Sequence, residues 1–216
     1  MLSILGLVLG FSPNQLAMRS ELLAALPRGN LPTAASADVL RLVEDLERTS
    51  QAPSTSDFLL FGLQGEWDLR ATISSGPEAA EPSAPTAAPS LLRAAGARVK
   101  DSTLWSTAEF EVEGMVGTLE VETSLEPTDR ADTLALKAVD RSLRLPRAPA
   151  SLTPLALMER LHASLSAEYR IDGEYRLQQV TTYMDDELRV CRCATARLGA
   201  AVSVYSRRGP PPQPAA

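Results

Sequence analysis

The sequence predicts an α+β protein in which about eight short antiparallel strands form a sandwich or a barrel, and of the two we expect the barrel. Three observations predict this class. From residue 64 onward, hydrophobic residues alternate with polar ones over short segments, the pattern of strands with one buried face. Turn-forming residues separate these segments at close spacing. Helical periodicity is confined to the N-terminal part of the chain and to one later segment.

The chain has 216 residues, of which 44% are hydrophobic, and this suits one folded domain with a small helical appendage. We divide it into three parts. Residues 1–60 are expected to form an N-terminal helical segment packed on the barrel, and residues 61–208 the barrel itself. The tail 209–216, GPPPQPAA, is rich in proline and is predicted to be disordered.

Helical spacing predicts two helices in the N-terminal segment. Residues 14–26 carry leucines on one side, and residues 36–47, SADVLRLVEDLE, begin at a capping serine and place valines and leucines along one stripe. A turn is expected at 53–56. One further helix, 154–165, is inserted late among the strands, with Pro154 in its first turn.

The first strand is predicted at residues 64–73, QGEWDLRATI. The hydrophobic residues that alternate along it, and that are expected to share its buried face, are Trp67, Leu69, Ala71 and Ile73. Residues 74–90 contain four prolines. A segment this rich in proline cannot pair in a sheet, so we predict a flexible surface loop there.

Strand patterns then follow one another along the rest of the chain. They lie at residues 106–114, 117–127, 133–145, 187–194 and 199–208, with 166–184 forming two strands about the turn Asp172-Gly173. The stretch from Gly114 to Gly117 suits a hairpin. A closed barrel of about eight strands has room inside for packed side chains or for one small ligand.

Charge and motif content exclude several classes of function. The formal net charge is −6 and no lysine- or arginine-rich run is present, so we expect no nucleic-acid partner. The phosphate-binding pattern G-x-x-x-x-G-K-[ST] is absent, and we expect no cofactor.

Residues 1–11 are apolar but fall short of the about 20 residues that a membrane-spanning helix needs. They also lack the basic start of a secretory signal, and no transit peptide is visible. We therefore expect no transmembrane span. We interpret the segment as the start of a buried helix, with a surface anchor or the remnant of a truncated gene model as alternatives.

The residues most often found in catalytic and metal sites are scarce. His162 is the only histidine, and Cys191 and Cys193 are the only cysteines. One histidine does not supply a histidine-based triad, and a Cys-x-Cys pair lacks the two further ligands of a zinc site. We predict no metal and no catalytic residue, and assign these three side chains to the core or the surface.

Three stretches of the chain carry a resemblance to a known family. They are LLAALPRGN with VLRLVEDLE, then LQGEWDLRAT, and finally TTYMDDELRVCR, with AEFEVEGMVGTLEVETSLEP between the last two. In this order they are similar to the opening helices, the Leu-x-Gly-x-Trp-x-Leu-x-x-Thr signature and the C-terminal motif of the plastid lipid-associated proteins, or fibrillins. The match covers roughly residues 15–208. The residues of this chain that fall in the structural motifs of the family are Gly65, Trp67, Tyr183, Asp185, Glu187, Leu188 and Arg189.

The resemblance implies a lipocalin-like barrel and a non-catalytic protein of the plastid. Family members are associated with plastoglobules, thylakoids and the stroma, and are regarded as carriers or structural proteins for lipids, prenylquinones and carotenoids. A hydrophobic lipid or prenyl ligand is therefore expected, or peripheral contact with a lipid-globule or thylakoid surface. The alternatives are a filled barrel that coats plastoglobules or docks to protein partners, and an enzyme acting on a lipid or quinone.

The acidic residues Asp185, Asp186 and Glu187 fall between two predicted strands. Aspartate is favoured in tight turns because its carboxylate accepts hydrogen bonds from the backbone two residues on. Two catalytic carboxylates would face each other across a cleft about 5–9.5 Å wide, which neighbours on one turn seldom do. We interpret the acids as a turn or as an ion pair with Arg189. A polar group at the barrel mouth and a catalytic role are the alternatives.

Trp67, at the start of the first strand, is expected to close one barrel end with its ring in the core, or to contact a ligand. Arg192 is predicted on the inward face, beneath Trp67 and stacked on its ring. The other candidates for contact with a ligand are residues expected to face an interior that is either packed solid or hollow: Leu69, Leu119, Val121, Leu134, Leu136, Tyr169, Ile171, Tyr175, Leu177 and Val180.

Overall fold

The computed structural model describes residues 12–26, 37–50, 53–75, 91–164, 176–195 and 199–210. Within these ranges the chain forms four helices and eight strands. The helices are α1 (Pro13–Ala25), α2 (Ala37–Thr49), α3 (Ser56–Leu63) and α4 (Pro154–Ser164). The strands are β1 (Gly65–Ser75), β2 (Leu92–Lys100), β3 (Thr103–Val112), β4 (Met115–Pro127), β5 (Thr133–Arg144), β6 (Arg176–Met184), β7 (Leu188–Thr195) and β8 (Gly199–Arg208).

The eight strands form a closed barrel in which each is hydrogen-bonded to its neighbours in the sequence and β1 also pairs with β8. Every pairing is antiparallel. Closure gives each strand two neighbours, which is how β-rich folds avoid exposed edges. The predicted class, antiparallel strands combined with helices, is confirmed.

A two-residue turn joins β3 to β4. Val112 pairs with Met115, so that Glu113 and Gly114 alone make the connection. Both have positive φ angles, 51° and 71°. This left-handed backbone lets a two-residue turn follow the natural twist of the strands that it joins. The hairpin predicted near Gly114 is therefore present.

A bulge in β1 divides that strand between two hydrophobic cores. The pairing register with β8 shifts between Leu69 and Ala71. Trp67 and Leu69, before the bulge, belong to the core inside the barrel, whereas Ala71, after it, belongs to a core outside. An extra residue in a strand reverses the alternation of its side chains. The prediction that Ala71 shares the face of Trp67 is therefore wrong.

The first core lies inside the barrel and extends into two helices. The inward side chains of the strands include the large rings of Trp67, Phe110 and Tyr205. Leucines from α3 (Leu59, Leu63) and from α4 (Leu157, Leu161) join the same cluster. The two short helices therefore bury their apolar sides against interior side chains of the barrel.

The second core lies between the outer barrel wall and the two long N-terminal helices. The helices contribute Leu22, Leu26, Val39, Leu42, Val43 and Leu46, and the strands contribute Ala71, Tyr183, Leu188, Val190, Val202 and Val204. The valines of β7 and β8 that face these helices alternate with residues that face the interior. These strands are therefore buried on both faces.

Two elements lie where the sequence patterns predict none. Helix α3 occupies the end of the expected turn at 53–56 and the residues after it, and β2 precedes the strand predicted at 106–114. Strand β1 extends to Ser75, so the first two residues of the loop predicted at 74–90 are strand and that boundary is wrong. Residues 76–90, the turn Asp172-Gly173, the first eleven residues and the proline-rich tail from residue 211 lie outside the described ranges. The predictions for these segments stay predictions.

Candidate functional site

The interior of the barrel has a mostly apolar wall, interrupted by Ser106 and Thr123, and a polar wall. The hydrophobic residues that β2 to β5 direct inward are Ala95, Ala97, Val99, Leu104, Ala108, Phe110, Leu119, Val121, Leu125, Leu134 and Leu136. The buried polar residues of β6, β7 and β8 that line the other wall are Gln179, Thr181, Arg189 and Ser203, next to Cys191, Cys193 and Tyr205. An amphipathic interior of this kind differs from an ordinary hydrocarbon core.

The pairing register holds the polar wall together. Arg189 lies directly opposite Tyr205 on β8, and Cys191 lies opposite Ser203. On the other side, Cys191 lies opposite Thr181 of β6. Residues that face each other across two antiparallel strands point to the same side of the sheet. The interior position of Cys191 therefore places its polar partners inside the barrel as well.

Arg189 is the charged residue of this wall and is only 2% exposed. Its Nη2 donates a hydrogen bond to Oε1 of Gln179, and its guanidinium carbon lies 5.5 Å from the centre of the Tyr205 ring. Its Nε is buried and has no acceptor in the part of the chain that the structure describes. Across the described ranges, no carboxylate forms an ion pair with Arg189. The interior thus contains a cation whose hydrogen-bonding capacity is only partly used.

Several hydroxyl groups of the interior are also buried without a hydrogen-bond partner. They belong to Ser106 on β3, Thr123 on β4 and Thr181 on β6, and Thr72 on β1 is a fourth case. Folded proteins pair the large majority of their buried polar atoms. Such a group costs about 1–3 kcal/mol when it stays unpaired. Their concentration in one interior distinguishes the inside of this barrel from an ordinary hydrophobic core.

Trp67 lies at the barrel end where α3 packs. Its Nε1 donates to the carbonyl of Leu63, 2.8 Å away, and its ring is 1% exposed. The side chain stacked on the ring is Arg207 of β8, whose guanidinium carbon lies 4.0 Å from the ring centre. The closing role expected for Trp67 agrees with this position, because α3 and the tryptophan occupy the same end.

Arg207 ties this end of the barrel together. Its three guanidinium nitrogens donate to the backbone carbonyls of Gly62 (2.6 Å), Gln64 (2.6 Å) and Asp186 (2.8 Å). Two of these carbonyls belong to the C-terminal end of α3, which attracts a cation. Burial lowers the pKa of Arg207 to about 10, although Asp186 and Asp185 act in the opposite direction.

The acidic stretch forms a turn between β6 and β7, one of the interpretations given above. Oδ1 of Asp185 accepts hydrogen bonds from the backbone N–H groups of Glu187 (2.8 Å) and Leu188 (2.7 Å). Oδ2 accepts from the Tyr183 hydroxyl at 2.6 Å. The carboxyl of Asp185 is thus fully engaged in fixing the turn.

The cation paired with this turn is Arg19 of α1. It lies 3.3 Å from carboxylate oxygens of Asp185, Asp186 and Glu187. Burial acts to lower the pKa of Arg19, but the charges of Asp185 and Glu187 raise it above its ordinary value. The predicted ion pair between the acids and Arg189 is wrong, because Arg189 points into the barrel and the acids face the helix.

Arg192 lies outside the barrel. Its Nε and Nη2 donate to the two carboxylate oxygens of Glu47 on α2, at 2.7 and 2.6 Å. The hydrogen bonds that Arg192 donates to Glu47 raise the pKa of Arg192 above its ordinary value. The prediction that Arg192 points inward and stacks on Trp67 is therefore wrong. The inward residues of β7 are Arg189, Cys191 and Cys193.

Most of the other candidates lie in the interior. Leu69, Leu119, Val121, Leu134, Leu136 and Leu177 are buried members of the inner core. Val180 pairs with Arg192 and so faces outward, which corrects its prediction. Gly65 begins β1, and Leu188 and Tyr183 belong to the outer core. Tyr169, Ile171 and Tyr175 lie outside the described residues, as does the His162 side chain.

Sequence patterns alone missed Gln179, Tyr205 and Arg207. Gln179 lies in a strand whose inward positions are otherwise filled by leucine and threonine, and nothing in its local sequence separates it from a surface glutamine. Arg207 lies in the polar-looking end of β8. Its inward direction follows from pairing with Trp67 across β1 and β8, which only the register reveals.

Within the described ranges, no three His, Cys, Asp or Glu side chains cluster in a way that could hold a metal ion. None of the helices described is both long and apolar enough to cross a lipid bilayer. A scan of the chain against models of known protein families finds no match, and a search of curated proteins finds no similar sequence. Membership of the plastid lipid-associated protein family therefore stays a prediction.

Proposed function

We propose that this protein binds a small hydrophobic molecule inside its barrel and performs no reaction on it. The observation that carries the proposal is a set of buried polar atoms that have no partner among the described residues, Nε of Arg189 and the hydroxyls of Ser106, Thr123 and Thr181, in an interior lined mostly by apolar side chains. Small-molecule sites commonly combine an apolar lining with a few polar groups that orient the ligand.

Two energetic terms favour such binding. Each Å² of apolar ligand surface that leaves water contributes about 25 cal/mol, and the wall from β2 to β5 offers hydrocarbon for that contact. Each polar group that gains a partner recovers part of the about 1–3 kcal/mol that its unpaired burial costs. The protein's net charge of −6 contributes little, because solvent exclusion supplies the driving force.

The motif resemblance supports a more specific proposal. The protein would be a lipocalin-like member of the plastid lipid-associated proteins, located in the plastid at the plastoglobule, the thylakoid surface or the stroma. Its ligands would then be lipids, prenylquinones or carotenoids. The antiparallel barrel with an N-terminal pair of helices is consistent with this assignment and supports it at the level of fold class.

The test is a binding experiment on the full chain. Native mass spectrometry of the purified protein, before and after removal of lipid on a hydrophobic resin, should show a bound mass that is lost and then regained. Titration with the neutral dye N-phenyl-1-naphthylamine should give a saturable rise in fluorescence at one site per chain. Absence of both signals in a folded protein contradicts the proposal.

A matched pair of variants locates the site. Ala108 is fully buried and faces the interior, whereas its neighbour Glu109 is exposed on the outside of the same strand. Ala108→Leu should weaken dye binding by occupying interior volume, while Glu109→Leu should leave it unchanged. Equal effects of the two substitutions would place the dye on the outer surface. Circular dichroism checks that both variants are folded.

A further inference from the structure

We infer that the ligand of the barrel is an amphiphile with an anionic headgroup, a carboxylate or a phosphate monoester, held by Arg189. This inference rests on the proposed function, and it adds which chemical class the interior selects. It starts from the incomplete pairing of Arg189, which is 2% exposed and whose Nε has no acceptor.

No acidic side chain among the described residues is placed to neutralise Arg189. Of the carboxylates in the described ranges, Asp185 is the one that is buried. Both of its oxygens are already engaged, by Tyr183, by two backbone N–H groups of the turn and by Arg19. Within the described ranges, the acceptor of Arg189 is the amide oxygen of Gln179, which carries no net charge. A buried cation without a counter-charge is unfavourable, so an anion from outside the chain fits it best.

Arg207 shows how the same fold treats an arginine with a structural role. Each of its three nitrogens donates to a backbone carbonyl, and its flat face covers Trp67. Among the residues that the structure describes, Arg189 has a single acceptor, and it has an aromatic neighbour on one side. Arg189 of β7 pairs with Tyr205 of β8, and Arg207 follows Tyr205 by two residues. The two arginines are therefore only two residue positions apart in the direction of the strands. The difference in bonding therefore reflects a difference in role.

The headgroup is anionic and not a neutral carbonyl for reasons of charge and geometry. A quinone or ester oxygen could accept a hydrogen bond from Nε, but it would leave the positive charge uncompensated. A carboxylate or phosphate oxygen pair accepts two parallel N–H bonds from a guanidinium group and neutralises it as well. The unpaired hydroxyl of Thr181 adds a second donor on the same wall. The apolar wall opposite then accommodates the hydrocarbon chain.

The test compares four probes that share one twelve-carbon chain: dodecanoate, dodecyl phosphate, dodecanol and methyl dodecanoate. Each displaces N-phenyl-1-naphthylamine from the full-length protein. We expect the anionic probes to bind at least about tenfold more tightly than the two neutral ones, because a charge-assisted pair is the stronger bond. The ratio of the affinity for dodecanoate to the affinity for dodecyl phosphate shows which of the two anionic headgroups the protein prefers.

Arg189→Gln should reduce the affinity for the anionic probes to that for dodecanol. The affinity of this variant for dodecanol should stay within about twofold of the wild-type value. Arg192→Gln, on the outer face, is the matched control and should retain the preference. A 13C resonance from carboxyl-labelled dodecanoate gives a measurement that needs no variant. In wild-type protein, the bound acid should stay ionised to a lower pH than the free acid.

Equal affinity of wild-type protein for dodecanoate and dodecanol would overturn the inference on the headgroup and leave the proposed function intact. Retention of the anion preference by Arg189→Gln would overturn the role of Arg189. Failure of all four probes and of the dye to bind a folded protein would instead remove the proposed function itself.

Discussion

Arg207 and Arg189, two arginines of the barrel, differ in how many hydrogen bonds their guanidinium groups make, and this difference is the basis for proposing a binding role for Arg189 and a structural role for Arg207. Arg207 joins the end of α3 to the end of β8 through three carbonyls. Arg189 leaves a donor unused in a buried setting. Because a buried arginine without a counter-charge destabilises a protein core, the presence of Arg189 calls for a reason other than stability.

Arg207→Met should lower the free energy of unfolding by about 2–4 kcal/mol, since it leaves carbonyls of Gly62 and Gln64 without their donor. Arg189→Met should change the same quantity by less than about 1 kcal/mol in ligand-free protein, because loss of one hydrogen bond is offset by removal of a buried charge. Urea denaturation followed by tryptophan fluorescence measures both. A larger loss for Arg189→Met than for Arg207→Met would mean that Arg189 is structural.

Tyr183 makes the free energy of unfolding depend on pH in the alkaline range. Burial, together with the Asp185 carboxylate, raises its pKa above the ordinary value of 10.0. The unfolded chain therefore releases this proton first, so the stabilisation is complete below pH 10 and is lost as pH rises beyond it. The stability advantage of wild-type protein over Tyr183→Phe should shrink by up to about 1.4 kcal/mol per pH unit there. Urea titrations from about pH 8 to about pH 11 test this, and a constant difference would contradict it.

At the residue scale, sequence reasoning identified the right residue types but could not assign their directions. Trp67 was expected at a barrel end, and the structure has it there. Its arginine partner was expected to be Arg192 and is Arg207. A one-residue change of phase moves every side chain of a strand to the other face, and the phase of β7 depends on the turn at Asp185 and on a bulge in β6. The aspartates predicted the turn, but the bulge in β6 is not visible in the hydrophobic pattern.

At the scale of elements, the sequence patterns missed one helix, α3, and one strand, β2, and in both cases the reason is an unusual amino-acid composition. Helix α3, SDFLLFGL, is almost entirely apolar and therefore lacks the one-sided pattern that marks a surface helix. Strand β2, LRAAGARVK, contains alanines and a glycine, which are poor strand formers. Both elements are held by tertiary contacts. Their neighbours in the fold, and not their own sequences, determine their structure.

Strand β2 approaches β1 so closely that Gly96 has no room for a side chain. A Cβ at this position would lie 2.7 Å from the backbone oxygen of Trp67. Gly96→Ala should therefore lower the free energy of unfolding by about 1–3 kcal/mol, because one backbone has to move away from the other. Thermal or urea denaturation provides the measurement.

Gly62→Ala is the control for this prediction. Its added carbon would meet only the flexible end of the Met184 side chain, which can change its rotamer. We expect a change within about 1 kcal/mol, since alanine also favours the helix. If Gly96→Ala is as well tolerated as Gly62→Ala, the close approach of β1 and β2 is not a constraint on the sequence.

At the scale of the whole molecule, two strands, β7 and β8, contribute side chains both to the outer core beneath the helices and to the interior of the barrel. Strands β7 and β8 present valines to the outer helices and polar side chains to the interior. The helices are fastened by charge as well as by packing, through Arg19 at the turn and through Glu47 to Arg192. The polar wall of the barrel is therefore the wall with the stiffest support. A binding group gains from such support because its geometry is set before the ligand arrives.

The pairing of β1 with β8 also has a consequence for biosynthesis. β1 begins at Gly65 and its partner β8 begins at Gly199, so most of the chain leaves the ribosome between them. Arg207, which completes the end of α3, arrives with that last strand. Until β8 has been synthesised, the barrel cannot close beside Trp67. The incomplete sheet of the nascent chain then exposes hydrophobic side chains that are buried in the finished fold. Cells that produce this protein would need chaperones, or slow translation, at this stage.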